Sequence, residues 1–505
     1  MNSGEPMYSL VECSNKPGQG KEGQDIMHRQ SDYPIVSEKP VKAGGEKGVA
    51  VMRVGARETP SRPRTGGTVA TKLASLTQRA REDRKCRFTS LAHLLTEEFL
   101  ADCFWELKRD KAPGVDGVSV EEYEVNLEEN LEDLVRRLKA KAYWPQPVRR
   151  AYIPKEDGRK RGLGIPTVED KIVQMGIKRI LEAIFEVDFM EGVSYGFRPG
   201  KSCHEALDAL DKVVMTQPVN YVVDMDIEKF FDTIDHTWLM ECLKQRVADS
   251  SLLRLMVRFL KAGVLEEGRV QETEAGTPQG GIISPLLANI YLHYVLDLWF
   301  ERKVKRECRG YARLIRYADD FVVCFQSEKE ARAFGEMLKE RLAKFGLRRA
   351  EEKSRIIAFG RYVWGKAQRE GKKVETFDFL GFTHYCDRTR KGAFKLGRKT
   401  ASKRFRQKVK ELNKWMKRVR NCVELKDWWK VLRLKLIGHY RYYGVSGNYP
   451  ALRRYYRCAF KLAYKWINRR SQKRSMSFAK YLRFLEFNPL PQPKIYRSLY
   501  TLSSS

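Results

Sequence analysis

Two adjacent carboxylates, Asp319 and Asp320, lie between two apolar runs in the segment RLIRYADDFVVCF, residues 313–325. Apolar, β-branched runs that flank a short polar break predict two strands joined by a hairpin turn, with both carboxylates at its tip. Like charges at this spacing repel each other, and a bound cation relieves the repulsion. The pattern alone fits either an acidic β-turn, since aspartate is common in turns, or part of a divalent metal site.

A third carboxylate, Asp226, follows the apolar run YVVDM in the segment YVVDMDIEKFFDTIDH, residues 221–236. The run predicts a buried strand that presents Asp226 at its end. Three carboxylates offer the oxygen ligands that Mg²⁺ prefers, and two such ions can clamp the attacking and leaving oxygens of a phosphoryl transfer. We expect Asp232 and Asp235, on the turn after the strand, to cap a helix or to face solvent.

Two glycine-rich segments contain residues that packing alone does not explain. In GTPQGGIISPLLANIYL, residues 276–292, Ser284 and Pro285 predict the N-cap and first residue of an apolar helix, and the polar Gln279 stands beside glycines that permit close approach. The second segment, GFRPGKS, residues 196–202, resembles a phosphate-binding loop. It has one residue too few between its glycines, which argues against nucleotide hydrolysis there.

The composition supports a large globular protein of the cytoplasm. A chain of 505 residues with 42% hydrophobic and 11% aromatic residues can fold as two or three domains with proper cores. Its ten cysteines show no C-x-x-C pair and its histidines do not cluster, so neither a zinc site nor a disulfide framework is predicted. The sequence shows no signal peptide and no apolar run long enough to span a membrane.

The basic charge is concentrated in the last quarter of the chain. The formal net charge is +32, which predicts a polyanionic partner. Residues 387–505 hold 33 basic and 5 acidic residues, so that quarter carries +28 and the preceding part only +4. The segment SKRFRQKVKELNKWMKRVRN predicts a helix with one apolar face and basic residues elsewhere. Further on, aromatics alternate with Arg and Lys, which suits an RNA with unpaired bases, although many of these rings must be core.

The remaining patterns outline the order of the elements. Residues 1–70 are rich in Gly, Ser, Pro, Lys and Glu without periodicity and predict a disordered extension, with order beginning near Ala70. A helical pattern runs through residues 91–110. Thr167, with Asp170 three residues on, predicts the capped start of a core helix.

Seven segments, in order along residues 75–490, resemble the successive blocks of bacterial group II intron-encoded reverse transcriptases. They are KAPGVDG, YIPKEDGRKRGLGIPTVEDKIVQ, YGFRPGKS, DMDIEKFFD, TPQGGIISPLLANIYL, YADD and FDFLGF. The resemblance implies an α+β fold, a right-hand polymerase with fingers and palm at 71–385. A helical thumb at 386–422 and a maturase-like RNA-binding domain at 423–505 would follow.

The resemblance also implies roles for individual residues. Asp226, Asp319 and Asp320 match the ligands of two Mg²⁺ ions. Lys353, in EEKSRI, matches a proton donor to pyrophosphate.

Four further positions match residues that bind the substrate in this family. Lys155 and Arg161 correspond to positions that hold the incoming triphosphate, Phe231 to the gate against a 2′-hydroxyl, and Gln279 to a contact near the nascent pair. Gly162 follows Arg161 where the family commonly has another residue, so the charges are better matched than the loop conformation.

Three hypotheses of different classes follow. The first is a group II intron-encoded RNA-directed DNA polymerase that also assists splicing; its partners would be intron RNA, an RNA template with a DNA primer, dNTPs and a DNA target. The second is an RNA-binding splicing factor on an inactive polymerase fold, which the three intact aspartates disfavour. The third is a related reverse transcriptase recruited to phage defence or to CRISPR-type adaptation. The basic tail favours the first.

Overall fold

The computed structural model describes residues 66–154, 160–266, 268–271, 275–277, 280–470 and 476–499, which form an α+β protein. The predicted disordered extension lies outside the described residues as far as residue 65. Helix α1 begins at Gly66, four residues before Ala70, near which order was expected to begin. None of the helices in these ranges combines the length and the apolar character that crossing a bilayer requires.

Helices and short strands alternate as far as residue 400, and the described chain is mainly helical after that. The α-helices are α1 Gly66–Glu82, α2 Glu97–Trp105, α3 Val120–Val125, α4 Leu127–Lys139, α5 Val168–Phe185, α6 Cys203–Thr216, α7 Phe230–Thr233, α8 His236–Lys244, α9 Ser250–Lys261, α10 Ser284–Leu292, α11 Lys305–Glu307, α12 Glu328–Lys344, α13 Arg361–Arg369, α14 Ser402–Val419, α15 Leu425–Tyr443, α16 Tyr449–Ile467 and α17 Phe478–Phe487.

The strands are β1 Val148–Pro154, β2 Lys160–Ile165, β3 Tyr221–Met225, β4 Val264–Glu266, β5 Arg269–Gln271, β6 Ala312–Tyr317, β7 Asp320–Phe325, β8 Arg355–Ala358, β9 Phe377–Phe379, β10 Phe382–Arg388 and β11 Phe394–Thr400. Short 3₁₀ turns cover Ala92–Leu94 and Glu351–Lys353. Two π-helical stretches, His293–Asp297 and Phe300–Val304, lie between α10 and α11.

The first sheet has the strand order β2-β1-β4-β5 and leads into α5. Strands β1 and β2 are antiparallel, with Arg149 opposite Ile165. The helix start predicted at Thr167 is confirmed, since its side chain accepts a hydrogen bond from the backbone of Asp170. The Asp170 carboxylate is itself buried and accepts the hydroxyl of Tyr143 at 2.5 Å, which ties the segment before β1 to the start of α5.

The central sheet has the order β6-β7-β3-β8 and is antiparallel throughout. Alternate residues of its strands face two different hydrophobic clusters. Val223 and Phe321 belong to one cluster with α2, α5 and α8–α10, whereas Val222 and Val322 belong to the other. With both faces covered by apolar side chains, only the ends of this sheet can present polar groups to a ligand.

The third sheet, β11-β10-β9, and helices α14–α17 share the second hydrophobic cluster with the central sheet. The apolar face predicted for α14 is present: Leu412 and Met416 are buried, and Phe405, Val409 and Trp415 pack against the cluster. The predicted limit between the fingers and palm and the thumb, at residue 385, falls within β10, which the structure shows as one continuous strand. The domain limits stay predictions.

One helix start differs from the expectation. Ser284 was expected to be the N-cap of α10, but it is the first helical residue, Ile283 precedes the helix, and no side-chain cap is made. Ser284 is buried, and Pro285 occupies the second position, where its missing N–H is still tolerated. The prediction was wrong by one residue because the apolar Ile283 holds the chain against the core.

Candidate active site

Four side chains lie side by side across one end of the central sheet and form what we call the carboxylate row: Asp226, Asp320, Lys353 and Tyr317. Strands β3 and β7 pair with Met225 opposite Phe321, so the next pair in register is Asp226 and Asp320. Strands β3 and β8 pair with Asp224 opposite Arg355, and the same continuation brings Lys353 opposite Asp226. The end of β6 completes the row, because Tyr317 pairs with Asp320. Antiparallel pairing thus brings together residues that are distant in the sequence.

The predicted hairpin of β6 and β7 is confirmed, but of the two carboxylates expected at its tip only Asp319 lies in the turn, because Asp320 is already the first residue of β7. The turn begins at Ala318 with φ of 58°, a left-handed conformation that a non-glycine residue adopts at a cost on the order of 1 kcal/mol. Gly196 packs against it so closely that a Cβ there would stand 2.3 Å from the Ala318 nitrogen. The segment GFRPGKS therefore supports the hairpin, and its first glycine is needed for close approach.

A buried ionic network holds the turn from below. The Arg316 guanidinium pairs with both carboxylate oxygens of Asp297, at 2.7 and 2.5 Å, and both side chains are fully buried. It also donates to the Asn289 side chain and to the Ala318 carbonyl, each at 3.0 Å. Sequence reasoning missed this network. Its signal was present, since Arg316 and Asp297 are single opposite charges within apolar runs, and a buried charge requires a partner.

The carboxylates of the row repel one another. Withdrawal from bulk water, together with the negative charges of Asp319, Asp226 and Asp224, raises the pKa of Asp320 from 3.8 to about 7. Asp320 is nonetheless exposed as a residue. Protein atoms therefore lie around its carboxylate, but water can still reach it. Burial also raises the pKa of Asp319, assisted by Asp226 and opposed by Arg161 and Arg316.

Asp224 is a further carboxylate that the sequence reasoning did not single out. It lies two residues before Asp226 on the same side of β3, and burial is the main reason that its pKa rises to about 6. Arg355 opposes this rise from 3.7 Å. The alternation in YVVDMD was the available signal, because residues two apart on a strand share a face.

Lys353 is the cation that contacts Asp226. Its Nζ lies 2.5 Å from the Asp226 Oδ2, and its side chain is 65% exposed. The Asp226 carbonyl accepts from the Ala350 N–H at 2.8 Å, which fixes the chain before β8 against the end of β3. Lys353 thus stands at the row, where the resemblance implies a proton donor.

The donor set fits a divalent cation. Oxygen-only carboxylate ligands with a mutually raised pKa are what a hard ion such as Mg²⁺ stabilises. Within the ranges the structure describes, no three acidic, histidine or cysteine side chains already form a group that holds an ion. The Asp226 carboxylate is engaged by Lys353 instead, so ion binding requires side-chain rotation, a ps–ns motion at an exposed site.

Phe231 sits beside this end of the sheet, on α7. Its ring packs edge-on against the buried Phe230, with centroids 5.4 Å apart, and is itself only partly buried. Its carbonyl accepts the Thr277 N–H at 2.8 Å, so the described part of the glycine-rich segment is fixed to the same turn. Farther on, a Cβ at Gly280 would stand 2.5 Å from the Gly164 carbonyl oxygen. The segment is held between α7 and β2.

The remaining predicted site residues have different outcomes. Arg161 lies in β2 opposite Ile153, near enough to Asp319 to affect its pKa. Lys155 and Gln279 lie outside the described residues. Asp235 caps α8 by accepting the Trp238 N–H at 2.8 Å, as expected.

Comparisons with known proteins identify the family of the chain. The family model described as "Reverse transcriptase (RNA-dependent DNA polymerase)" matches residues 153–384. Protein YkfC of Escherichia coli strain K12 is 34% identical over 283 residues, which is 50% of this chain and 74% of YkfC.

Two intron-encoded relatives match a smaller share of their own length. The group II intron-encoded protein LtrA of Lactococcus lactis subsp. cremoris is 38% identical over 235 residues, 46% of this chain and 39% of LtrA. The putative COX1/OXI3 intron 2 protein of Saccharomyces cerevisiae is 36% identical over 162 residues, 32% of this chain and 18% of that protein. From the family model, these relatives and the order of the sequence blocks, the chain belongs to the family of group II intron-encoded reverse transcriptases and maturases.

Proposed function

We propose that this protein is an RNA-directed DNA polymerase encoded by a group II intron, which copies intron RNA into DNA and assists splicing as a maturase. The observation that carries the proposal is the alignment of Asp226 with Asp320 at the sheet end, beside Asp319 in the hairpin turn. In this proposal the first and central sheets form the fingers and palm of a right-hand polymerase. Helix α14 forms the thumb, and α15–α17 form the maturase domain.

Asp226, Asp319 and Asp320 would hold two Mg²⁺ ions. Bound there, the ions supply charge neutralisation for the attacking 3′-hydroxyl oxygen and the leaving pyrophosphate. Lys353, whose ammonium already reaches Asp226 at 2.5 Å, donates a proton to the pyrophosphate oxygen as it leaves. Arg161 and Lys155 orient the incoming dNTP through its phosphates, Gln279 contacts the nascent pair, and Phe231 excludes a ribose 2′-hydroxyl. No covalent intermediate on the protein is needed.

The basic tail supplies the contacts to intron RNA and to the template–primer duplex. The last turn of α14 holds Lys417 and Arg418, and that of α15 holds Arg441. Most aromatic rings of the tail pack in the core, as expected, but Tyr449, Phe478, Phe487 and Tyr496 are exposed and available for stacking on unpaired bases. A DNA target and a cytoplasmic location complete the proposal. A role in phage defence or CRISPR-type adaptation is the alternative.

The test is primer extension by the purified full chain on an RNA template with a DNA primer, dNTPs and Mg²⁺. Asp319→Ala or Asp226→Ala should lower the extension rate by about a hundredfold or more, because each removes a ligand of ions worth several kcal/mol to the transition state. Affinity for RNA should change by no more than about twofold, because both residues are acidic and RNA phosphates are bound by basic side chains.

Asp110→Ala, at an exposed aspartate away from the row, is the matched control. Extension at a near wild-type rate by either site variant would refute the proposed ligand set. A wild-type chain that binds intron RNA and promotes splicing but extends no primer would favour the splicing factor on an inactive polymerase fold.

A further inference from the structure

An exposed tryptophan with a cation held on its face lies between α4 and β1. Trp144 is 68% exposed, and the Arg258 guanidinium, from the last turn of α9, is centred 4.1 Å from the ring centroid. We propose that Trp144 and Arg258 form a binding site for an unpaired base of single-stranded nucleic acid, with the base on the open face of the ring. This site goes beyond the proposed polymerase function and does not depend on it.

The platform is held in place before any ligand binds. Arg258 donates to the backbone carbonyls of Lys141 and Tyr143, at 2.8 and 2.6 Å, so its guanidinium is fixed against the ring. The preceding turn passes through Lys141 with φ of 58°, a left-handed conformation that a long side chain adopts only at a cost. A residue pair that is rigid in the free protein loses less entropy when a ligand binds.

The residues on both sides of Trp144 are anchored, which leaves its ring outside the core. Tyr143 is buried and donates its hydroxyl to Asp170 at 2.5 Å, and the Gln146 N–H donates to the same carboxylate at 3.2 Å. Burial of the Trp144 ring would have been the ordinary outcome for so large an apolar group. Arg258 covers one face, and the 68% exposure leaves the opposite face to solvent.

The charge around the ring favours nucleic acid over a protein partner. Arg136 and Arg137 in the last turn of α4 are ion-paired with Asp133 and Glu169. The basic residues that bear on the argument are therefore Lys139, in the same turn, and Arg258 and Lys261 in the last turn of α9. In the part of the chain that the structure describes, the guanidinium of Arg258 hydrogen-bonds to carbonyl oxygens, which leaves its charge unneutralised. An aromatic ring beside basic residues is the combination that stacks bases and attracts their phosphates.

The site is separate from the carboxylate row. It precedes β1, whereas Arg161 pairs with Ile153 near the other end of that strand. Val148 to Ile153 spans about 17 Å of extended chain. A base on Trp144 is therefore held at the end of β1 away from Arg161, and it belongs either to the template ahead of the duplex or to an unpaired loop of another RNA.

The experiment is photocrosslinking of the full chain to a 5-iodouridine RNA of about twelve nucleotides, followed by peptide mass spectrometry. We expect a crosslink on Trp144, and competition by unlabelled single strands but not by duplex RNA. Trp144→Ala should weaken binding of this oligomer by about five- to a hundredfold, whereas Trp144→Phe keeps a stacking ring and should retain most of the affinity. Arg258→Met should give an intermediate loss, because the ring remains but its cation is gone.

Val125→Ala is the matched control, since Val125 is an exposed apolar residue among the glutamates of α3 and α4. The crosslink should persist in Asp319→Ala, so a failure of the polymerase proposal does not affect this result. To identify the strand, the same variants are compared on primer–templates with short and long template overhangs. A Trp144 effect confined to long overhangs assigns the site to the template, and an effect on the free oligomer alone assigns it to another RNA.

Absence of a Trp144 crosslink, with Trp144→Ala binding every single-stranded probe as tightly as the wild type, would overturn the proposal. The exposed ring would then be better explained as a contact for another protein. A loss that Trp144→Phe shares in full would also overturn it, because that variant preserves the stacking surface.

Discussion

Replacing Asp320 with asparagine should stabilise the metal-free protein while removing primer extension. In the folded chain the pKa of Asp320 is about 7, against an ordinary value of 3.8. Withdrawal from bulk water is the main cause, and three neighbouring carboxylates further disfavour its charge. A carboxyl whose pKa is raised by folding keeps its proton in the folded state after the unfolded chain has lost it. Stability therefore falls as pH rises from about 4 to about 7 and stays low above that range. Asparagine removes this penalty.

The magnitude follows from the pKa change and from the exposure of the residue. A rise from 3.8 to about 7 corresponds to at most about 4 kcal/mol. Asp320 is exposed, so water and salt screen part of this repulsion. We expect Asp320→Asn to raise the free energy of unfolding by about 1 to 2 kcal/mol at pH 8 in the absence of divalent ions.

The assay is urea denaturation in EDTA at about pH 5 and about pH 8, followed by circular dichroism, with Asp110→Asn as the control. The stability difference between Asp320→Asn and wild type should be larger at the higher pH. Addition of Mg²⁺ should stabilise the wild type but have less effect on the variant, because an ion that binds only the folded state shifts the equilibrium toward it. If the variant gains no stability at pH 8, or gains the same amount at both pH values, the reasoning about repulsion is wrong.

Three other variants test separate parts of the protein. Phe231→Ala should raise incorporation of ribonucleotides relative to deoxyribonucleotides by about tenfold or more in single-nucleotide extension, and an unchanged ratio would move the gate elsewhere. Arg316→Met leaves Asp297 buried without its partner and should lower the free energy of unfolding by about 3 to 5 kcal/mol, measured by denaturation, while an effect near zero would contradict the buried network. Lys410→Gln with Lys414→Gln, both on the exposed side of α14, should reduce the slope of log affinity for RNA against log salt by up to about 2, and an unchanged slope would show that these lysines do not contact phosphate.

The local parts of the site could be predicted from the sequence, because they depend on patterns of a few residues. The hairpin that holds Asp319 and the strand that ends before Asp226 follow from apolar runs and a polar break, and both are present. Their convergence depends on strand order, which no short pattern contains. The family resemblance supplied it, and the register of β3 with β7 agrees with it.

Contacts between distant segments were the part that could not be predicted. A charge within an apolar run indicates that Asp297 and Arg316 each need a partner, but the sequence does not indicate that they are partners of each other, because they meet only when a helical stretch packs against a strand. The limit at residue 385 reflects the same difficulty. The family resemblance placed a boundary there, and it stays a prediction, but the hydrophobic cluster continues across it, from Val222 in β3 to Trp428 in α15.

The arrangement of charges at the hairpin explains how a repulsive site is kept in a stable fold. Arg316 lies three residues before Asp319 in the sequence, yet its guanidinium is satisfied by Asp297, Asn289 and the Ala318 carbonyl. Because those contacts use its hydrogen bonds, Arg316 fixes the turn and offsets only part of the rise in the pKa of Asp319. The negative charge at the sheet end is therefore left to exposed cations, Lys353 at Asp226 and Arg355 at Asp224 in the free protein, and to Mg²⁺ in the proposed reaction. A stronger internal countercharge would stabilise the fold further but would compete with the ions that the chemistry requires.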